Sequence, residues 1–153
     1  MKPLFGRLAM IGAAVLVVAA FNVSIVAKER IKTTGERIYL ELAPVDPRSL
    51  MQGDYMALRF RLAQQLSTER GGLATLAVAP NGVATLSPDP DGVGLRIRYR
   101  IRQGQPWIGT NAYFFEEGTA ERYVGARYGE FRVDRDSGEA VLVGLTGDDF
   151  VRK

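Results

Sequence analysis

An aspartate and a tyrosine stand side by side in Gly53-Asp54-Tyr55-Met56-Ala57-Leu58-Arg59-Phe60, and four arginines occupy alternate positions at Arg96, Arg98, Arg100 and Arg102. The first pair offers a carboxylate and a phenol for hydrogen-bonded docking. With no base or nucleophile placed beside them, it does not imply catalysis. Arg48 and the Glu116-Glu117-Gly118 corner extend the set of docking candidates. The arginines lie opposite Leu95, Ile97, Tyr99 and Ile101, so on a strand four guanidinium groups share one face. Such a stripe fits recognition of an anion, whether a lipid phosphate, a cell-wall polymer or an acidic partner. It equally fits a solvated face whose arginines meet Glu or Asp across neighbouring strands.

The chain of 153 residues has no histidine and no cysteine. That composition excludes thiolate and imidazole zinc sites, iron–sulfur clusters, histidine-ligated haem, cysteine nucleophiles, serine–histidine triads and disulfides. No cofactor is expected. Glu116-Glu117 and Asp148-Asp149 supply oxygen ligands, but adjacent carboxylates on a strand face opposite ways, and no loop has calcium-binding spacing. Trp107, Tyr113, Phe114 and Phe115 are read as core, with an aromatic binding patch as the alternative. The isoelectric point of about 9.4 does not mark a nucleic-acid binder. Beyond the first 27 residues, 18 Lys and Arg meet 17 acids, a net charge of +1.

From Leu8 to Ala27 run 20 residues without a charge, the length of helix that crosses a bilayer's hydrocarbon core at ~30 Å. The direct reading is an uncleaved single-pass anchor in the cytoplasmic membrane. Lys2 and Arg7 before the span, with Val18-Ala19-Ala20 inside it, also fit a cleaved signal peptide. Lys28, Arg30 and Lys32 on the far flank balance the basic N-terminus, so the charge count does not orient the span. A short basic start followed at once by an apolar stretch is the build of an export signal, which places the remaining domain outside the cytoplasm.

The organisation expected is a basic segment over 1–7, an anchor over 8–27, a juxtamembrane linker over 28–36 and a β-rich domain over 37–153. Alternation of apolar and polar residues predicts strands over 37–42, 54–62, 73–79, 83–86, 95–102, 111–116, 128–133 and 140–145. Pro80-Asn81-Gly82 and Asp134 to Gly138 are hairpin turns, and Pro44 and Pro47 impose a turn before the Gly-Asp-Tyr segment. Residues 119–124 predict a short helix with Thr119 as N-cap. Strands at this spacing predict a mainly β fold, an antiparallel sandwich or partly closed barrel with one short helix, preceded by a single transmembrane helix.

The octapeptide resembles the signature of the GDYXXLXY protein family, a set of membrane-anchored bacterial proteins. Leu40 to Gln52 is similar to the segment leading into the motif, Phe115 to Gly118 and Ala126 to Val133 to a second shared block, and Val141 to Leu145 to a closing strand. Phe60 stands where the pattern has a tyrosine, which removes a phenol from that position. The resemblance implies a membrane-anchored domain and supplies no reaction, cofactor or catalytic residue; the family's association with polytopic neighbours makes an integral membrane protein the expected partner. Two other readings remain. One is a lipid- or glycan-binding module using Arg96 to Arg102. The other is a serine hydrolase whose layout is similar to that of signal peptidases, with Ser49 as nucleophile, although the only lysines past the span are Lys28, Lys32 and Lys153.

Overall fold

In the computed structural model of the protein, the residues described are 2–43, 51–52 and 55–153. The predicted turn at Pro44 and Pro47, and Arg48, Ser49, Gly53 and Asp54, lie outside them.

The apolar span is one helix, α1 (Lys2–Thr34). Its large side chains from Leu8 to Val26 are 51–71% exposed, so none of the described residues covers them. The two polar residues of the span serve themselves: Asn22 Nδ2 donates to the Val18 carbonyl and Ser24 Oγ to the Ala20 carbonyl, one turn back. The segment expected as a linker is helical as far as Thr34, and Ile31 within it is buried. Gly35 then turns the chain. Its N–H closes on the Ile31 carbonyl at 2.9 Å. A Cβ there would stand 2.5 Å from that oxygen and 3.1 Å from Arg132 Cβ, so only glycine fits the joint.

One sheet has the order β1–β9–β10, where β1 is Glu36–Glu41, β9 Tyr128–Val133 and β10 Ala140–Thr146, all antiparallel. The register sets Ile38 beside Phe131 and Phe131 beside Leu142, with a bulge between Leu142 and Gly144. A second sheet has the order β5–β4–β6–β7, with β4 Gly72–Val78, β5 Ala84–Leu86, β6 Leu95–Arg102 and β7 Gln105–Ile108. The third joins β2 (Met51–Gln52), β3 (Tyr55–Ala57) and β8 (Ala112–Phe114). Isolated bridges tie the sheets together, Tyr39 to Val83 in parallel and Leu42 to Phe60 antiparallel. At the opposite side the β9–β10 turn docks on β6, where Arg98 N–H donates to the Gly138 carbonyl at 2.7 Å. The result is a partly closed barrel around a single core containing Ile38, Leu40, Phe60, Leu76, Ile97, Phe131 and Leu145.

Four local readings of the sequence change. The strand predicted over 54–62 ends at Ala57, and Arg61–Gln65 is a 3-10 turn. The alternation nonetheless gives the right faces, with Met56, Leu58, Phe60 and Leu62 buried and Arg59 and Arg61 exposed. Period 2 fixes which way side chains point; the backbone of 58 and 59 is bonded to Asn111 and Ala43 in loops instead of a ladder. The strand predicted over 111–116 is only Ala112–Phe114. The helix predicted at 119–124 is one 3-10 turn, Ala120–Tyr123, and Thr119 does not cap it: its hydroxyl donates back to the Glu116 carbonyl. Finally, β7 is an added strand, reached through Gln103 and Gly104, both at positive φ (51° and 71°), a two-residue hairpin turn without the usual Asn-Gly pair.

Gly138 carries the contact that draws β9–β10 onto β6. It sits at φ +71°, and a Cβ would fall 2.6 Å from Leu73 Cδ2. Gly138→Val is expected to lower stability by about 1–3 kcal/mol, read as a reduced urea midpoint of the detergent-solubilised protein. An unchanged midpoint would contradict this docking.

Candidate functional site

The four β6 arginines project outward, as their alternation with buried Leu95 and Ile97 requires. Arg98 donates through Nε and Nη2 to the Ser137 carbonyl at 3.1 and 2.9 Å. Arg100 Nη2 reaches Glu139 Oε1 at 2.8 Å, and the other oxygen of that carboxylate accepts from Lys28 Nζ at 2.8 Å. Arg98 Nε stands 3.8 Å from the same Glu139. The Lys28 hydrogen bond, with Arg100 beside it, holds the Glu139 carboxyl below its ordinary range against the opposing effect of burial. Arg102 lies over the face of Trp107, its Cζ 4.7 Å from the ring centroid. Arg96 is exposed and stands apart from the cleft of about 80 Å³ that Lys28, Arg98, Arg100, Arg102, Trp107 and Glu139 line. Part of the stripe therefore meets a carboxylate across strands, as the solvated-face reading expects.

Trp107 was expected in the core, yet it is half-buried; its indole N–H donates to the Gly109 carbonyl, and one face carries Arg102. It follows Pro106 on β7, the strand that alternation did not reveal. Lys28 and Glu139 are likewise residues of this cluster that the sequence did not single out. Their pairing spans 111 positions, and no local pattern signals it.

The Gly-Asp-Tyr segment leads to a second locus. Tyr55 on β3 is half-buried and faces Phe114 on β8 in register, ring centroids 5.8 Å apart. Phe114 is 75% exposed, contrary to its expected core position, whereas Tyr113 and Phe115 pack against the core. Two residues after Phe114 come Glu116, Glu117 and Gly118, and Thr119 N–H closes that turn on the Glu116 carbonyl at 3.0 Å. The β3–β8 pairing thus sets Tyr55, on the central strand, beside Phe114 on the edge strand β8 that leads into the Glu116 to Gly118 corner, while Arg96 to Arg102 belong to a different sheet. A shallow depression of about 400 Å³ beside them is lined by Phe114, Phe115, Glu116, Thr119, Arg122 and Tyr123. Burial, and then the hydrogen bond with Tyr123, push the Tyr113 phenol above its ordinary range. The motif's last residue, Phe60, is buried and meets Phe131 edge to face at 5.1 Å, so its ring serves the core.

Among the described residues, no three Asp or Glu side chains gather in a way that would hold a metal ion. Lys28 and Lys32 are engaged with Glu139 and Glu29. A further carboxylate, Glu130, is 3% exposed on the outer face of β9 and accepts from Arg152 Nε and Nη2 at 2.6 and 2.9 Å. The Arg152 hydrogen bond draws the Glu130 carboxyl below its ordinary value, outweighing burial.

A family model described as GDYXXLXY protein matches residues 17–145, from the middle of α1 into β10. No curated protein and no solved structure was found to match the chain.

Glu130 and Glu139 both have folded values depressed below the ordinary 4.5. Their contribution to stability is therefore complete above that pH and is lost as pH falls through the folded values. The urea midpoint is expected to fall on acidification below about pH 4.5, less steeply in Glu130→Gln. Arg152→Ala, which strands a buried carboxylate, should cost about 1–3 kcal/mol at neutral pH. Equal acid slopes, together with an unshifted Arg152→Ala midpoint, would refute this role for the pair.

Proposed function

We propose, on the premise that this chain belongs to the GDYXXLXY protein family, that it is a membrane-anchored, non-catalytic accessory subunit. On this reading, a β-domain held at the cytoplasmic membrane by α1 docks an integral membrane partner through the β8 edge of its β2–β3–β8 sheet, beside Tyr55. The observation that carries the reading is the ring of Phe114, three-quarters exposed beside the motif's Tyr55 and next to the Glu116 to Gly118 corner. An exposed aromatic flanked by polar groups is the composition of an interface centre with its rim. The anchor is supported by the length of α1 over Met10–Thr34 and by its bare apolar surface as far as Val26. The export-signal build of the N-terminus supports an extracytoplasmic domain.

Two measurements test these proposals. Affinity capture of the full-length protein from detergent-solubilised membranes is expected to recover an integral membrane partner, lost from a Tyr55→Ala, Phe114→Ala variant whose circular dichroism matches that of the parent. A partner kept equally by the folded variant would exclude this edge. Alkaline phosphatase fused after Lys153 is expected to be active; an inactive fusion beside an active cytoplasmic reporter would reverse the orientation.

A further inference from the structure

We propose that the cleft between Lys28 and β6 is a binding site for the phosphate of an anionic lipid headgroup in the membrane that holds α1; this rests on the membrane-anchored reading above. Three observations meet there. The first is charge: Lys28, Arg98, Arg100 and Arg102 line the cleft with Glu139, the sole carboxylate among its described lining residues. Glu139 is kept ionised by Lys28 and Arg100, so four cations share one negative charge and the cleft has a net charge of +3. A phosphate makes up that deficit, and guanidinium forks suit its oxygens.

The second is depth. Lys28 is the first charge after the 20 uncharged residues from Leu8 to Ala27, so in a bilayer it marks the edge of the hydrocarbon. Its ammonium is 2.8 Å from the Glu139 carboxylate that Arg100 also binds at 2.8 Å. The cleft is thereby fixed within the headgroup layer, roughly 5–8 Å thick on each side. An acidic protein partner would have to displace lipid to reach it.

The third is Trp107, stacked under Arg102 on the cleft wall, the residue type that settles at the water–hydrocarbon boundary. The volume of about 80 Å³ equals the room of roughly two or three waters, which suits a phosphate group and not a peptide segment.

Trp107 is the only tryptophan in the chain and therefore reports on this place alone. The full-length protein is reconstituted into vesicles of phosphatidylcholine, or of phosphatidylcholine with phosphatidylglycerol, and floated on a density gradient before fluorescence is read. In the anionic vesicles Trp107 emission is expected to move to shorter wavelength and acrylamide quenching to fall. The difference between the two lipids should disappear in molar salt and in Arg102→Gln or Arg100→Gln, and persist in Arg96→Gln, on the same strand outside the cleft. An identical response in both lipids from floating protein overturns the lipid site alone. So does a loss as large in Arg96→Gln as in Arg102→Gln, or an equal response to soluble glycerol phosphate with phosphatidylcholine vesicles. Protein that floats with neither vesicle overturns the anchor and the site together.

Discussion

At Gly35 the chain passes from a 33-residue helix into a β-strand within one residue, and the position of everything outside the apolar span follows from how that joint is packed. Ile31 is buried, the Gly35 carbonyl accepts from Arg132 Nη1 at 3.1 Å, and Lys28 is tied to Glu139 across the start of β10. A helix that ended in a loose linker would leave the domain free to tumble about it. Here the last turns of α1 are seated on β9 and β10, so the same face of the barrel always looks toward the end of the apolar span.

The forces in the barrel and at its joint with α1 divide by kind. Burying Phe131, Ile38, Leu40, Leu76, Ile97 and Leu145 contributes about 1.5–3 kcal/mol for each side chain. The exposed ion pairs of Lys28 and Arg100 with Glu139 contribute about 0–1 kcal/mol each. The core therefore makes the barrel, and the charges choose what it presents. Glu130 differs from Glu139 in depth: nearly all of it is covered, so Arg152 prevents a loss larger than the gain of an ordinary surface pair. In Glu139, one carboxylate among four cations leaves the surface beside the end of α1 short of negative charge, although the domain as a whole is close to neutral.

Much of this arrangement was legible in the residues. Alternation found β6 to the residue, and found the buried face of 56–62 even where the strand itself stops, because the period reports on side-chain direction. The Pro80-Asn81-Gly82 and Asp134 to Gly138 turns follow from local chemistry, and both form: Asn81 Oδ1 accepts from Val83 N–H, and Asp134 Oδ1 from Ser137 N–H. The turn at Gln103-Gly104 lacked such a signature, which hid β7 and with it the place of Trp107. The octapeptide carries the family's signature, and the family model matches residues 17–145. What no local pattern could supply were the contacts between distant segments: Lys28 with Glu139, Glu130 with Arg152, and Tyr55 beside Phe114.

The central claim, a helix seated firmly on the β9–β10 hairpin, is tested most directly by distance. The chain has no cysteine, so an Ala27→Cys, Asp136→Cys variant takes spin labels at those two sites alone. Double electron–electron resonance on the reconstituted protein should give a single narrow distance distribution, the same in micelles and bilayers. A broad or medium-dependent distribution would mean that the helix swings freely at Gly35, and would contradict the account.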